Sequence, residues 1–311
     1  MSELSGYCIQ YGIWPNCPNS CDFCLLKSKV FLSEKEQLKV IDAIIENIKY
    51  QDWENRFSAG ISLLGGEVYY IKSDKVKEKY MELIDVIIDR ILLVSKNPAC
   101  RYSTVTNGLY KPDFLYRVVD RIAERAGIEK VDVNFSFDFK YRFKSEAAKQ
   151  LVLKNINEFH KRYNYRVGVQ MILTQYVIDM WKRGEFDVGT WEQENIPGCI
   201  VTFLYPHPTH TGIEPPDFRF KRKDFLQFCQ YLRTNHYEHF VNFLHSTINS
   251  ERFKYTGLQG RQHKKYDVKQ IPILSDGKEI KSPCGHSVLY RCYTDSDNCM
   301  LCDLETIHGE L

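Results

Sequence analysis

Three cysteines lie within eight positions near the start of the chain, in the stretch NCPNSCDFC. Cys17, Cys21 and Cys24 follow the spacing C-x3-C-x2-C, and Phe23 directly precedes the last of them. Thiolates are the ligands of iron–sulfur clusters, and a cubane [4Fe–4S] cluster has four irons. Three protein thiolates leave one iron open, as a reactive metal site requires. The spacing alone also fits a zinc site completed by a fourth ligand such as Cys8.

A second group of four cysteines lies near the other end of the sequence. Its members are Cys284, Cys292, Cys299 and Cys302. Four thiolates complete a tetrahedral zinc site or occupy all four corners of a [4Fe–4S] cluster. The sequence therefore predicts metal ligation here and leaves the metal open. An iron–sulfur cluster with every corner occupied would act as an electron relay or as a structural staple that closes the mouth of the barrel predicted below.

The bulk composition limits the class of protein that carries these thiols. The chain has 311 residues, 43% of them hydrophobic and 26% charged, which is typical of a soluble globular protein. A net charge of +2 does not indicate a nucleic-acid or membrane partner for the whole molecule. Eleven cysteines, an odd number, together with no visible secretory signal argue against a disulfide scaffold. We expect a cytoplasmic, reducing location and no membrane partner.

Strand and helix patterns alternate along the first two thirds of the chain and must position the thiols. Helix patterns separate six strand patterns, at 6–13, 58–67, 101–108, 129–139, 165–174 and 198–206. Such alternation predicts βαβ units and a parallel sheet. With no dinucleotide fingerprint after the first strand, we predict an α/β fold, a partial (β/α)6 barrel with a small C-terminal cysteine-rich subdomain. In such barrels the chemistry gathers at the carboxyl ends of the strands.

The sequence divides into three expected regions. We place a barrel at 1–215, a helical connector at 216–270 and a cysteine-rich segment at 271–311. The connector is expected to hold one helix from 222 to about 248, and the final segment a short hairpin that leads into the cysteine-rich tail.

The first cysteine motif, placed in the loop after the first strand of a βα barrel, resembles that of the radical S-adenosylmethionine (SAM) enzymes. The resemblance covers about residues 5–206. It implies a [4Fe–4S] cluster whose open iron binds the amino and carboxylate groups of SAM. One electron then cleaves SAM into methionine and a 5′-deoxyadenosyl radical, which removes a hydrogen atom from the substrate. One departure is Pro18, because the family often has Asn directly after its first cysteine.

Further motifs at the strand ends extend the resemblance. Gly65, Gly66 and Glu67 end the second strand, where the family keeps a like motif to hold the SAM amino group. Glycines let backbone approach a ligand closely, and a carboxylate suits an ammonium partner. The other SAM-binding positions implied by the resemblance are Phe23, Asn107, Ser136, Asp138 and Tyr205. Ser136 and Asp138 fit plain strand-end capping equally well.

The C-terminal cysteines resemble the SPASM and twitch segments that follow many radical SAM barrels. Those segments carry auxiliary [4Fe–4S] clusters, so the resemblance favours a second [4Fe–4S] cluster over zinc. Four cysteines point to one cluster, which makes twitch-like the closer description. The resemblance also implies a reductant partner such as flavodoxin or ferredoxin.

The substrate is left open by the sequence, which also assigns no residue to the hydrogen abstraction itself. Relatives with SPASM-like and twitch-like segments often modify peptides or proteins, which favours a peptide or protein substrate. Two basic stretches with aromatic residues, FRFKRKDF and YTGLQGRQHKKY, indicate the alternative of a nucleotide or nucleic-acid base. A third alternative is a non-enzymatic, zinc-binding interaction protein.

Overall fold

The computed structural model describes residues 7–19, 21, 31–50, 58–204, 217, 220–248 and 255–256. Its strands are β1 (Tyr7–Gly12), β2 (Ser58–Leu64), β3 (Arg101–Thr106), β4 (Val131–Phe137), β5 (Gly168–Ile172), β6 (Ile200–Leu204) and the two-residue β7 (Tyr255–Thr256). The sheet order is β6-β5-β4-β3-β2-β1-β7, and every pair is parallel. The predicted α/β fold with six alternating βα units, a partial barrel, is confirmed. The predicted cysteine-rich subdomain lies outside the described residues.

Eight α-helices are found in the described part of the chain. They are α1 (Glu34–Lys49), α2 (Asp74–Ile87), α3 (Asp113–Ala126), α4 (Glu146–Tyr163), α5 (Gln175–Lys182), α6 (Val188–Asn195), α7 (Arg222–Asn235) and α8 (Tyr237–Ile248). A π-helical turn, Ile88–Leu92, follows α2. The first helix begins at a capping box, in which Ser33 and Glu36 each accept a hydrogen bond from the other's backbone N–H.

The connector helix expected from 222 to about 248 is two helices that meet at His236. The backbone of His236 has φ −140° and ψ 58°, which is not helical. Its Nε2 atom lies 2.8 Å from the Tyr231 hydroxyl and 3.2 Å from Asp187 Oδ2. The contact with Asp187 comes from tertiary packing, so the helical pattern of the sequence alone did not reveal the break. The second of the two helices, α8, packs against β6 at one edge of the sheet.

The two faces of the sheet differ in chemistry. Successive residues of a strand point to opposite faces, and one face is apolar and packed under the helices. Fully buried on it are Tyr102, Val133, Phe135, Met171 and Phe203. Among the half-buried residues that alternate with them, Ser103, Asp132, Asn134, Gln170 and Thr202 are polar, whereas Val105 and Ile172 are apolar. The face away from the helices therefore offers hydrogen-bonding groups.

All six long strands run in the same direction, so their carboxyl ends share one edge of the sheet. The loop that carries the first cysteine motif, the GGE stretch and the predicted positions after β3 and β4 all follow such ends. As the topology predicted, one edge collects the chemistry-bearing residues. None of the helices described here combines the length and apolarity needed to cross a membrane.

Candidate functional site

The cysteine loop is joined to the end of β2 by backbone hydrogen bonds. The N–H of Gly66 donates to the carbonyl oxygen of Trp14 at 2.9 Å, and the N–H of Glu67 donates to that of Asn16 at 2.8 Å. These bonds extend the β1–β2 pairing beyond both strands. Cys17 is thereby held beside the GGE stretch, as expected for two parts of one site.

Two glycines make this close approach sterically feasible. A Cβ atom on Gly65 would lie 2.4 Å from the carbonyl oxygen of Trp14. One on Gly66 would lie 2.4 Å from the carbonyl oxygen of Pro15 and 2.8 Å from the Cβ of Cys17. Real Cβ atoms do not approach backbone this closely, so any other residue would displace the cysteine loop. The glycines therefore have a packing role here, and their predicted contact with SAM stays a prediction.

Glu67 ties the end of β2 to the end of β3. Its side chain is buried, and its carboxylate oxygens lie 3.0 and 3.1 Å from the Thr106 hydroxyl. The N–H of Asn107 donates to Oε2 at 2.7 Å, and the N–H of Tyr69 donates to Oε1 at 3.4 Å. Burial raises the pKa of Glu67 to about 7, although these hydrogen bonds oppose the shift. Protein donors thus contact both oxygens, and the expected ammonium contact stays a prediction.

Asn107 lies between this carboxylate and the first cysteine. Its Oδ1 accepts a hydrogen bond from the Leu109 N–H at 2.9 Å, which forms a local turn after β3. Its Nδ2 points to the sulfur of Cys17, at an N···S distance of 3.7 Å. The sequence assigned Asn107 to SAM binding, and the structure adds a contact with a predicted metal ligand.

Cys21 receives a comparable contact from within its own loop. The Nδ2 of Asn19 lies 3.3 Å from the Cys21 sulfur and 3.3 Å from the carbonyl oxygen of Arg142. Arg142 belongs to the loop after β4. The cysteine loop is therefore anchored on two sides, by the GGE stretch and by the loop after β4. Neither Asn19 nor Arg142 was identified from the sequence as a site residue.

Asp138 shapes the loop that carries Arg142. Its Oδ1 accepts hydrogen bonds from the backbone N–H groups of Lys140 at 2.8 Å, of Tyr141, and of Arg142 at 3.3 Å. Burial raises the pKa of Asp138 above its usual value, and these bonds and the positive charge of Arg142 offset only part of the shift. The capping interpretation of Asp138 fits this geometry. Ser136, at 8% exposed, lies on β4 in register with Gln170, on the polar face of the sheet.

Two tyrosines near the thiols were missed by the sequence analysis. The rings of Tyr70 and Tyr110 pack with their centroids 4.8 Å apart. Burial raises the pKa of Tyr110, and the negative charges of Cys17, Glu67 and Cys21 add to the shift. No motif marks these positions; the only signal was that Tyr70 and Tyr110 come three residues after the predicted site residues Glu67 and Asn107.

Several predicted site residues lie outside the described residues. They are Cys24, Phe23, Tyr205, Cys284, Cys292, Cys299 and Cys302. Within the ranges that the structure describes, no three His, Cys, Asp or Glu side chains lie close enough to bind a metal ion. Only two ligands of the first predicted site belong to those ranges. Both carry sulfur and both receive an amide N–H, a donor set that fits thiolate ligation of an iron–sulfur cluster and leaves zinc open.

Comparison with known proteins gives a structural likeness only. No protein-family profile matches the chain, and no curated protein matches it. Among solved structures, anSMEcpe with bound AdoMet has a similar fold, with a TM-score of 0.50 and 18% identity over 76% of this chain and 62% of that chain. SuiB from Streptococcus suis has a TM-score of 0.46 and 11% identity, over 82% of this chain and 50% of that chain. HemN from Escherichia coli has a TM-score of 0.48 and 14% identity, over 73% of this chain and 52% of that chain. It is a coproporphyrinogen III oxidase described as a radical SAM enzyme.

The chain therefore spans about three fifths of the length of anSMEcpe and about half of the other two proteins. At 18% identity and a TM-score of 0.50, the likeness to anSMEcpe shows the fold alone.

Proposed function

We propose that this chain is a radical SAM enzyme that binds a [4Fe–4S] cluster through Cys17, Cys21 and Cys24. The observation that carries the proposal is the backbone pairing of the cysteine loop with the GGE stretch, which places Cys17 against Gly66 at the carboxyl ends of the strands. When bound, the cluster and SAM together supply a 5′-deoxyadenosyl radical that abstracts a hydrogen atom from the substrate. The likeness to AdoMet-bound anSMEcpe supports this proposal at the level of the fold.

The chain's own residues would hold the cofactors and set the shape of the site. Gly65 and Gly66 admit the cysteine loop, and Glu67 fixes the turn after β3. The positions proposed to contact SAM are Phe23, Gly65, Gly66, Glu67, Asn107, Ser136, Asp138 and Tyr205. Asp138 also orders the loop after β4, because its Oδ1 accepts three backbone N–H groups there.

A peptide or protein is the proposed substrate class. The polar face of the sheet supports it, because a peptide presents many amide groups that need hydrogen-bonding partners. Closer to the carboxyl ends of the strands, that face carries Ser136 on β4 and Gln170 on β5, which lie in register. The protein anSMEcpe, of similar fold, has been solved with AdoMet and a peptide named Cp18Cys.

The nucleotide alternative is weakened by the described part of one basic stretch. Phe225 of that stretch is fully buried, and its ring packs against Phe220 at 4.8 Å between centroids. Asp224 forms an ion pair with Lys182 at 2.6 Å. A buried ring cannot stack on a base from solvent, so this aromatic residue belongs to the core. The second stretch lies outside the described residues, apart from the backbone of 255–256.

The C-terminal cysteines are proposed to hold a second [4Fe–4S] cluster, with zinc as the alternative. A reductant such as flavodoxin or ferredoxin would supply the electron. The cytoplasmic location also stays a prediction.

Anaerobic reconstitution with iron and sulfide tests the proposal. We expect about eight irons per chain and a broad absorbance near 400 nm, which corresponds to two four-iron clusters. A Cys17→Ala, Cys21→Ala, Cys24→Ala variant should lose about half of the iron. The matched control is Cys199→Ala. This buried cysteine lies at the amino end of β6, whereas the site lies at the carboxyl ends of the strands. Stoichiometric zinc without colour in the unmodified chain would contradict the proposal.

A further inference from the structure

Two amide side chains donate toward the two described cysteine sulfurs of the site. Asn107 Nδ2 lies 3.7 Å from Cys17 Sγ, and Asn19 Nδ2 lies 3.3 Å from Cys21 Sγ. Both distances fit N–H···S hydrogen bonds, which are longer than bonds to oxygen because sulfur is the larger atom. The two donors reach two different ligands.

The amide of Asn107 has its orientation fixed by two further contacts. The Oδ1 atom accepts from the Leu109 N–H at 2.9 Å, and the residue's own N–H donates to Glu67 at 2.7 Å. Because Oδ1 is engaged, Nδ2 is the atom left to face Cys17. Asn107 is only 6% exposed, so water does not compete freely for this contact.

The amide of Asn19 is fixed from the opposite side of the loop. Its Nδ2 also reaches the carbonyl oxygen of Arg142 at 3.3 Å. That carbonyl belongs to the turn whose backbone N–H groups donate hydrogen bonds to Asp138. The end of β3 thus orients one donor, and the end of β4 orients the other.

We infer that Asn19 and Asn107 are positioning residues that raise the reduction potential of the cluster ligated by Cys17 and Cys21. The inference rests on the proposed function, because it requires that cluster. Reduction adds one electron, supplied by an external reductant, and makes the ligating sulfurs more negative. An N–H dipole directed at sulfur stabilises this added charge. The reduced cluster is therefore stabilised more than the oxidised cluster, which raises the reduction potential.

A redox titration followed by electron paramagnetic resonance (EPR) tests the inference on the reconstituted full chain. The relevant signal is the one that disappears in Cys17→Ala. Asn107→Leu is similar in size and removes the donor that faces Cys17 without placing a new charge beside the cluster. We expect the ratio of reduced to oxidised cluster at a fixed potential to fall about tenfold, a downward shift of about 59 mV for one electron. Asn19→Leu, which also adds no charge, should act in the same direction through Cys21.

Asn157→Leu is the matched control, because the amide of Asn157 donates to the carbonyl oxygens of Leu153 and Asn195 and not to a cysteine. Its potential should equal that of the unmodified chain. Full iron content with an unchanged potential in both Asn19→Leu and Asn107→Leu overturns this inference alone. Loss of iron from both variants also overturns it, since the assigned role is tuning and not assembly. Absence of a four-iron cluster from the unmodified chain overturns the proposed function instead, and this inference with it.

Discussion

The carboxylate of Glu67 and the backbone N–H of Asn107 form a hydrogen bond of 2.7 Å that joins the ends of β2 and β3. The same asparagine directs its side-chain amide at Cys17, and the residue before Glu67 lies against the Cys17 loop. Glu67 is therefore connected to both residues that lie against the first cysteine, by a hydrogen bond to Asn107 and by the chain to Gly66. We expect the stability of this edge of the sheet to depend on the protonation state of that acid.

The first prediction concerns pH. Burial raises the pKa of Glu67 from 4.5 to about 7, so folding favours its protonated form. The stability that this group contributes is fully present below about pH 4.5 and is lost as the pH rises through about 7. The loss amounts to up to about 3 kcal/mol at 1.36 kcal/mol per pKa unit. Glu67→Gln should remove this dependence from the free energy of unfolding of the metal-free chain.

The check is the free energy of unfolding in urea, measured at pH 5 and at pH 8 and compared between Glu67→Gln and the unmodified chain. Glu46→Gln serves as the control, because Glu46 is exposed on α1. Equal pH dependence in the unmodified chain and Glu67→Gln would show that Glu67 is not the titrating group.

The second prediction concerns the close approach at Gly66. In Gly66→Ala the new Cβ would meet the Pro15 carbonyl oxygen at 2.4 Å, so the cysteine loop must shift. We expect a destabilisation of about 1–3 kcal/mol and a several-fold loss of iron bound after reconstitution. Iron content and the absorbance near 400 nm measure the second effect.

Gly12→Ala is the matched control, since Gly12 ends β1 just before the cysteine loop and a Cβ there meets nothing within 4 Å. Its iron content should be unchanged. Normal iron binding in Gly66→Ala would mean that the loop does not need the glycine.

The third prediction separates the two cysteine groups. Under the proposed function, Cys299→Ala damages the second cluster and leaves Cys17, Cys21 and Cys24 in place. SAM cleavage with dithionite should therefore be spared more than turnover of the substrate. Measurement of 5′-deoxyadenosine and of modified peptide in one reaction checks this. An equal loss of both would argue against a relay role for the C-terminal cysteines.

The sequence predicted the scaffold well, because local patterns determine it. Alternation along each strand and the capping box of Ser33 and Glu36 need only neighbours in sequence to be recognised. The GGE stretch was also identifiable, because its position at the end of β2 follows from the order of elements. Its physical reason was only partly visible, since the contact between Gly66 and Cys17 joins distant parts of the chain.

Other features depend on contacts that no local pattern encodes. The helix break at His236 is accompanied by contacts with Asp187, which lies 49 positions away in sequence. Asn19 reaches Arg142 across 123 positions. Tyr110 comes near the thiols only because the turn after β3 faces the loop after β1. Such relationships became visible only once the strands had been placed side by side.

The most direct test of the account is the formation of 5′-deoxyadenosine from SAM by the anaerobically reconstituted chain under dithionite. The account predicts that the unmodified chain forms it and that Cys21→Ala, which loses one sulfur ligand, does not, whereas Cys199→Ala does. No 5′-deoxyadenosine from a fully iron-loaded chain, or undiminished formation by Cys21→Ala, would contradict it.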